Sequence, residues 1–267
     1  MNSHKKYTGI DYFKFVAAFL VIAIHTSPLA TFKETGDFIL TRIIARVAVP
    51  FYFMTSGFFL ISRYAYNADK LRKFLKRTAV VYGISVLVYI PLNIYNHYFS
   101  MEHLLPNLIK DIFFDGTMYH LWYLPASMFG AIIAWFLVRK VGFERALGIT
   151  ILLYVVGVFG DSYYGVVCNI PTIQRIYTHM FELFDYTRNG IFFAPVFFVM
   201  GGKIADKIDK DSKKISVIGL SISAVLMLAE GMVLHTLDLQ RHDSMYFALL
   251  PCMYFLFVLL VQPKGQW

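Results

Sequence analysis

The 267-residue chain is too apolar to be an ordinary soluble domain. Its residues are 58% hydrophobic and 16% charged, whereas soluble domains contain about 45–50% apolar and about 25% charged residues. The net charge of +8 does not indicate a nucleic-acid partner, because the basic residues are dispersed over short segments that contain no recognisable binding motif. The composition therefore predicts an integral membrane protein whose main partner is the lipid bilayer.

Eight apolar runs follow one another along the chain. A helix needs roughly 20 apolar residues to cross a hydrocarbon core of about 30 Å, and several runs reach that length. We predict spans at residues 11–30, 38–62, 78–98, 118–138, 145–160, 190–205, 215–237 and 245–261. The first run is too long for a cleavable signal peptide and contains Lys14 and His25. The pattern predicts a single all-α transmembrane bundle over residues 1–267, with no soluble domain.

The basic residues orient this bundle in the membrane. With a cytoplasmic N-terminus, the inner connections contain 17 of the 25 Lys and Arg residues and the outer connections contain five. An excess of Lys and Arg in cytoplasmic loops is the asymmetry that the positive-inside rule describes. We therefore predict a multi-pass protein with both termini on the cytoplasmic side of a cell membrane.

Five charged or ionisable residues inside the predicted spans are candidate functional residues, because such groups cost several kcal/mol unless they face a cavity or a partner. Lys14 and His25 lie eleven residues apart on the first span, which places them on one face about 16 Å from each other. Arg42 and Arg46 share a face of the second span. Glu230, on the seventh span, lies at a depth similar to that of His25 and Arg46.

Each of these residues also has a purely structural interpretation. Lys14 could extend its amine to the inner headgroups, Arg42 could anchor its helix at the interface, and His25 could be a hydrogen-bonded packing residue. Glu230 could be the counter-ion of Arg46. In that case the two charges neutralise each other and take no part in a reaction.

Polar residues near the outer interface predict a mouth that faces outward. His120 and Trp122 open the fourth span, where an aromatic belt would account for Trp122 alone, and Arg241 precedes the last span. The chain contains no Gly-rich phosphate loop and no HExxH, GxSxG or CxxC motif. Its two cysteines lack metal-ligand spacing, and we expect no metal site and no bound cofactor.

Four motifs resemble the acyltransferase-3 family of integral membrane proteins. They are the Lys14 and His25 pairing, VPFYFMTSGF at residues 49–58, FLKR at 74–77 and HLWYL at 120–124. Two further segments, RVAVPF at 46–51 and YTRNGIFFAP at 186–195, look most similar to the membrane portion of the membrane-bound serine racemases of vancomycin resistance, the VanT type. The resemblance extends from about residue 9 to residue 261.

The resemblance implies transfer of an acyl group, such as acetyl, from cytoplasmic acyl-CoA to an acceptor across a bacterial plasma membrane, often a cell-envelope sugar. Lys14 and Arg77 would hold the phosphates of the donor. His25 would act as general base or transient acyl carrier. Glu230 would orient the imidazole, and Arg46 would stabilise negative charge or hold an acceptor carboxylate. The remaining predicted substrate-binding residues are Arg42, Ser56, His120, Trp122 and Arg241.

Three departures from the family pattern leave a second function open. Lys14 stands where arginine is usual, the family has about ten helices, so that we expect a truncated or shortened member, and no pyridoxal-phosphate domain is present to racemise an amino acid. The alternative is a non-enzymatic membrane module that takes up L-serine for an attached or associated racemase. Arg46 and Glu230 would then bind the carboxylate and amine of serine. A purely structural anchor is the third interpretation.

Overall fold

The structure, a computed structural model, describes residues 7–61, 67–100, 104–207 and 213–262. Every regular element in these ranges is helical, which confirms the predicted all-α class. The α-helices are α1 (Thr8–Thr26), α2 (Glu34–Phe38), α3 (Ala48–Leu60), α4 (Ala68–Tyr95), α5 (Leu104–Lys110), α6 (Tyr123–Phe159), α7 (Tyr164–Val167), α8 (Pro171–Leu183), α9 (Ala194–Lys207), α10 (Lys213–Thr236) and α11 (Leu249–Val261). Short π-helical segments lie at Ile39–Ile43 and Asp111–Asp115, and 3-10 segments lie at Ile44–Val47, Tyr98–Ser100 and Tyr119–Trp122.

Five helices of the described chain are long and apolar enough to cross a membrane. They are α1, the continuous stretch Glu34–Leu60, α4, the stretch Tyr119–Phe159 and α10. Their outward faces carry large apolar side chains, and Phe15, Phe19 and Leu87 are each at least 65% exposed. Such faces are stable in contact with lipid, while the helical backbone satisfies its own hydrogen bonds. The architecture is that of a membrane protein.

Helix α6 contains two antiparallel halves rather than one straight rod. Gly142 interrupts it with φ 78° and ψ 170°, a conformation that suits glycine because it has no Cβ. Gly130 in the first half and Tyr154 in the second both lie against the beginning of α9. The turn lies against the end of α9, where Glu144 accepts a 2.6 Å hydrogen bond from Lys203. The halves correspond to the predicted spans 118–138 and 145–160.

Several predicted boundaries differ from the helices, and local backbone geometry and hydrogen bonding explain four of these differences. Helix α1 ends at Thr26, four residues before the predicted end, because Ser27 adopts a left-handed conformation with φ 44° and a proline follows. Helix α4 begins at Ala68, ten residues before the predicted start, because the side chain of Asn67 caps its first turn. The basic segment 70–77 is therefore helical and not a loop.

The starts of α9 and α11 are later than predicted by four residues each. Before α9, Oδ1 of Asn189 accepts hydrogen bonds from the backbone N–H groups of Ile191 and Phe192. Before α11, Oδ1 of Asp161 accepts from the N–H groups of Ser244 and Met245 at 2.7 and 3.0 Å. These bonds fix the backbone in turns because the side chains bind N–H groups that helix would otherwise leave unpaired.

Close contact between α3 and α9 forms the centre of the core. A Cβ placed on Gly57 would lie 2.1 Å from the carbonyl oxygen of Phe198, and one on Gly201 would lie 2.1 Å from that of Met54. Small residues permit such backbone approach between membrane helices, where dispersion contacts replace the hydrophobic effect as the main attraction. Only glycine fits these two positions without separating the helices.

We expect Gly57→Ala to destabilise the protein by about 1–3 kcal/mol, because the added methyl group must push α3 away from α9. Gly83→Ala is the matched control, since a Cβ there meets nothing within 4 Å. Thermal unfolding in detergent should show a lower midpoint for Gly57→Ala only. Equal midpoints for the two variants would contradict the close packing of α3 and α9.

Candidate functional site

His25 lies in the last turn of α1 and faces the 3-10 segment Tyr119–Trp122. Its ring centroid is 5.9 Å from that of His120 and 6.1 Å from that of Tyr119. Both contacts are edge-on, and the imidazole of His25 is exposed at the surface of the bundle. His120 also contacts Tyr89, at 4.9 Å between ring centroids, and its Nε2 is buried without a hydrogen-bond partner among the described residues. The structure thus brings two predicted site residues, His25 and His120, together.

Arg42 and Arg46 face the residues that precede α11. Nη2 of Arg46 binds Oδ1 of Asp243 at 2.7 Å, and Nη1 of Arg42 lies 3.5 Å from the same oxygen. The prediction that the two arginines share a face is confirmed, although a π-helical turn and a 3-10 turn replace regular helix here. The side chain of Arg46 is only 6% exposed, so its charge requires a partner. That partner is Asp243, and not Glu230, which the structural interpretation of Glu230 had named.

Glu230 is placed differently from the prediction that it orients the imidazole of His25. Its carboxylate accepts hydrogen bonds from the N–H groups of Phe247 and Ala248 at 2.7 and 2.8 Å, and from the hydroxyl of Tyr163 at 2.9 Å. A carboxylate at a helix N-terminus satisfies free N–H groups and interacts favourably with the helix dipole. Glu230 therefore fixes the start of α11, and His25 is not among its partners in the described chain.

Arg188 lies at the centre of an aromatic cluster formed by Tyr119, Trp122 and Tyr186, although the sequence did not single it out. It lies between α8 and α9 in a buried turn and is only 4% exposed. Its guanidinium carbon lies 4.5, 4.7 and 5.0 Å from the ring centroids of Tyr186, Tyr119 and Trp122. These are cation–π distances. One signal was available, since Arg188 lies within the segment YTRNGIFFAP at residues 186–195 that carries part of the family resemblance.

A small cavity lies between α1, the second span and this turn. Its walls include Ile24, Arg46, Trp122, Arg188 and Ser244. Trp122, predicted to bind substrate, is largely buried and its ring forms part of this wall. The cavity is therefore lined by two cations, an indole ring and a hydroxyl, next to the turn of α1 that carries His25.

Arg241 joins the segment before α9 to the segment after α6 instead of lining the open mouth that the sequence predicted. Its Nη1 donates to the carbonyl oxygen of Asp185 at 2.6 Å, its backbone N–H donates to that of Asp161 at 3.1 Å, and its guanidinium lies 3.6 Å from the ring centroid of Phe181. Burial raises the pKa of Asp161 above its usual value, and nearby Arg188 opposes that rise. The contacts of Arg241 are those of a structural residue.

A second polar region lies along the first turns of α4, where Lys70, Lys73 and Arg77 line a groove of about 450 Å³. The other wall comes from the start of α6, with Tyr123 and Ser127. Three cations on one helix face, spaced three and four residues apart, can bind the phosphates of a single ligand. Arg77, which the family resemblance assigns to the donor, lines this groove.

Lys14 lies near this groove through aromatic contacts. The hydroxyl of Tyr52 donates to the carbonyl oxygen of Lys14 at 3.1 Å, and the ring of Tyr52 lies 6.3 Å from that of Tyr123. The amine of Lys14 pairs with Asp11 at 3.0 Å, where both side chains are exposed, so this ion pair contributes little to stability. Ser56, also predicted to bind substrate, lies half-buried on α3.

The arrangement suits proton transfer and anion binding more than metal chemistry. Within the described ranges, no three His, Cys, Asp or Glu side chains form a group that could hold a metal ion. The imidazole of His25 can accept a proton. The cations of the groove on α4 and of the cavity beside Arg188 can bind negatively charged groups.

The chain resembles known proteins over almost all of its residues. The profile of the acyltransferase-3 family, described as an acyltransferase domain, matches residues 7–267. The chain is 56% identical over 266 residues to an amino-acid racemase of Enterococcus faecalis and 38% identical over 265 residues to another from that species. It is 35% identical over 269 residues to a serine/alanine racemase of Enterococcus gallinarum. No solved structure matches.

The matches cover this chain almost completely but only part of each relative. They include 96–100% of this chain and 37–38% of the three racemases. The chain therefore spans little more than a third of the length of the relatives it matches.

The partly buried position of His242 predicts that the free energy of unfolding depends on pH. Burial and the neighbouring Arg241 and Arg188 lower the pKa of His242 from 6.5 to about 4. Between these values the unfolded chain binds a proton that the folded protein does not, so stability decreases as the pH falls from 6.5 towards 4. Relative to His242→Gln, wild type should lose about 2–3 kcal/mol across this window.

Only the difference between variants isolates His242, because burial also raises the pKa of Asp115 to about 6. A raised carboxyl pKa acts in the opposite direction and stabilises the folded state as the pH falls. Unfolding should be followed in detergent at pH 7 and pH 4.5. His179→Gln, at an exposed position on α8, should behave like wild type. If wild type and His242→Gln lose equal stability, the assignment to His242 is wrong.

Proposed function

The chain belongs to the acyltransferase-3 family, and on that basis we propose that it moves an acyl group from cytoplasmic acyl-CoA to an extracytoplasmic acceptor. One observation carries this proposal. The basic groove lies near Lys14 in the first half of α1. His25 lies in the last turn of the same helix, about 16 Å from Lys14 along the axis. A donor with a charged head and an extended thioester arm fits such a separation.

The groove on α4 supports acyl-CoA as the donor. Lys70, Lys73 and Arg77 would bind its phosphates through charge-assisted hydrogen bonds, and the ring of Phe74 in the same wall offers an apolar surface beside them. From there, Tyr123 and Tyr52 lead towards α1. The arm of the donor would follow these rings towards His25, with its thioester at the outer end.

His25 is the proposed general base. The hydroxyl oxygen of the acceptor attacks the thioester carbonyl, its proton passes to the imidazole, and the carbon–sulfur bond breaks to release CoA as the thiolate. The proton on the imidazole then neutralises this thiolate, so that no net charge remains. His120 lies beside this imidazole, 5.9 Å away between ring centroids, and a neutral imidazole at His25 is the form that accepts a proton.

The direction of transfer rests on a proposed topology with eight spans. These are α1, the stretch Glu34–Leu60, α4, the two halves of α6, α9, α10 and α11. The excess of Lys and Arg in the connections at one end supports cytoplasmic termini, and a bacterial plasma membrane is the proposed location. In this topology the α4 groove faces the cytoplasm and the cavity beside Arg188 faces outward.

A second function is supported by the relatives, which are named racemases of amino acids. We propose as the alternative that the chain is a membrane domain that takes up L-serine for a racemase domain, in the context of vancomycin resistance, and is not itself catalytic. The outer cluster of Arg46 and Asp243 supports this alternative, because an amino acid carries a carboxylate and an amine that match a cation and a carboxylate. Glu230 is already engaged at the start of α11 and does not serve here.

Substitution of His25 separates the two functions. We expect purified protein in lipid nanodiscs to hydrolyse or transfer acetyl from acetyl-CoA, and His25→Ala to reduce the rate by about 100-fold or more, the usual contribution of a general base. His179→Ala, on the exposed face of α8, is the matched control and should retain the rate. Uptake of labelled L-serine into proteoliposomes without acetyl-CoA turnover would reject acyl transfer in favour of the alternative.

Neutralising one cation of the groove tests the donor site. We expect Arg77→Gln to raise the KM for acetyl-CoA about tenfold and to leave kcat nearly unchanged, because a lost hydrogen bond between charged groups costs about 1.5–3 kcal/mol. Arg72→Gln removes the same charge from the same helix at an exposed position that does not line the groove. An equal effect of both variants would mean that the groove does not bind the donor.

A further inference from the structure

Two buried arginines face the outer cavity with unused hydrogen-bond donors. Nε of Arg46, and Nε and Nη2 of Arg188, are buried without a partner among the described residues. The two residues are only 7% and 4% exposed. A buried donor without an acceptor costs about 1–3 kcal/mol, and more when it is charged. These donors are therefore available to an acceptor that enters the cavity.

The unused donors of Arg188 form one edge of its guanidinium. The N–H bonds of Nε and Nη2 are parallel and lie in the plane of the group, which matches the two oxygens of a carboxylate in a bidentate contact. The rings of Tyr119, Trp122 and Tyr186 surround the guanidinium at 4.5–5.0 Å. Stacking of this kind fixes the orientation of the planar group, so the edge is held ready for an anion.

The charges around the cavity leave room for one more negative charge. Arg42 and Arg46 share a single oxygen of Asp243. Asp161 acts on Arg188 from a distance. Its Oδ1 accepts from backbone N–H groups, and its Oδ2 is buried without a hydrogen-bond partner in the described chain, so it does not bind Arg188 directly. An anion at Arg188 would supply the close counter-charge that this buried guanidinium lacks among the described residues.

The size of the cavity limits the anion to a small group. Its volume is about 20 Å³, and by this measure one water molecule needs about 10–15 Å³. The two oxygens of a carboxylate are comparable in size to such a space. The wall at Ile24 adjoins His25, and Tyr119 contacts both Arg188 and His25.

We propose that Arg188, assisted by Arg46, binds the carboxylate of the extracytoplasmic substrate and so selects small molecules that carry this group. The proposal rests on the proposed function only in giving His25 the reacting end of the same substrate. Both an amino acid and a sugar acid contain the required carboxylate. Bound at Arg188, either would place its remaining polar groups one aromatic ring away from the imidazole.

The fluorescence of Trp122 provides a direct test. Trp122 is the reporter in a Trp135→Phe/Trp267→Phe background, since the chain has three tryptophans. The protein in nanodiscs is titrated with sodium acetate, and in parallel with acetamide and with sodium chloride at equal ionic strength. We expect a saturable change with acetate that is at least tenfold weaker with acetamide and chloride. Arg188→Lys should weaken acetate binding about tenfold, because a lysine lacks the fork, and Arg188→Gln should abolish it.

Arg175→Gln is the matched control, because it removes an exposed charge from α8 and should leave binding unchanged. Competition with L-serine and with glucuronate then identifies the source of the carboxylate, and displacement by either supports the proposal. Equal responses to acetate, acetamide and chloride would overturn it, as would wild-type binding by Arg188→Lys or displacement of acetate by neither compound. If the Arg188 variants do not fold, the ligand comparison on the reporter protein still decides.

The result is independent of acyl transfer, because the titration uses no acyl-CoA. Acetate should bind to His25→Ala as it binds to wild type. If acetyl transfer is absent and acetate still binds with this selectivity, the proposed enzyme activity fails and the carboxylate site stands. If acetyl transfer occurs and Arg188→Lys binds acetate like wild type, the carboxylate site fails and the proposed enzyme activity stands.

Discussion

The buried contact between Arg46 and Asp243 determines how the elements around the cavity beside Arg188 are arranged. An ionised guanidinium that is only 6% exposed needs a counter-charge, because the cost of desolvation is recovered only through close pairing. Asp243 precedes α11, so the pair joins the second span to the last one. Asp161 holds the neighbouring N–H groups of residues 244 and 245 and thereby adds the end of α6 to the same framework. The turn with Arg188 is packed between these elements.

This framework separates the polar residues into two regions with an aromatic connection between them. The groove on α4 is lined by Lys70, Lys73 and Arg77. The cavity between α1 and the turn before α9 is lined by Arg46 and Arg188. Between them, Phe53 stacks on Tyr123 at 5.0 Å and contacts Trp122 at 6.5 Å. Aromatic side chains fill this space without unpaired charges, so that the two polar regions can use different ligands.

The residues that the sequence predicted correctly are those whose relation depends on one helix. The shared face of Arg42 and Arg46 follows from helical spacing. The predicted contact of Glu230 with His25 and the alternative pairing of Glu230 with Arg46 are both wrong, because depth in the membrane does not fix the rotation of one helix relative to another. Glu230 faces the N-terminus of α11, where free N–H groups compete successfully for its carboxylate. Arg188 was missed as a site residue because its turn has no periodic pattern.

The sequence by itself determined the helical class, the positions of most helices and the candidates on α1. These properties depend on apolar length and on the spacing of residues within one segment, which local physics controls. Only the tertiary structure decided that Asp243 neutralises Arg46, that Glu230 caps α11 and that three aromatic rings surround Arg188. Such contacts join residues that lie far apart in the chain, and they are selected by the need to pair every buried charge and polar group within one packed bundle.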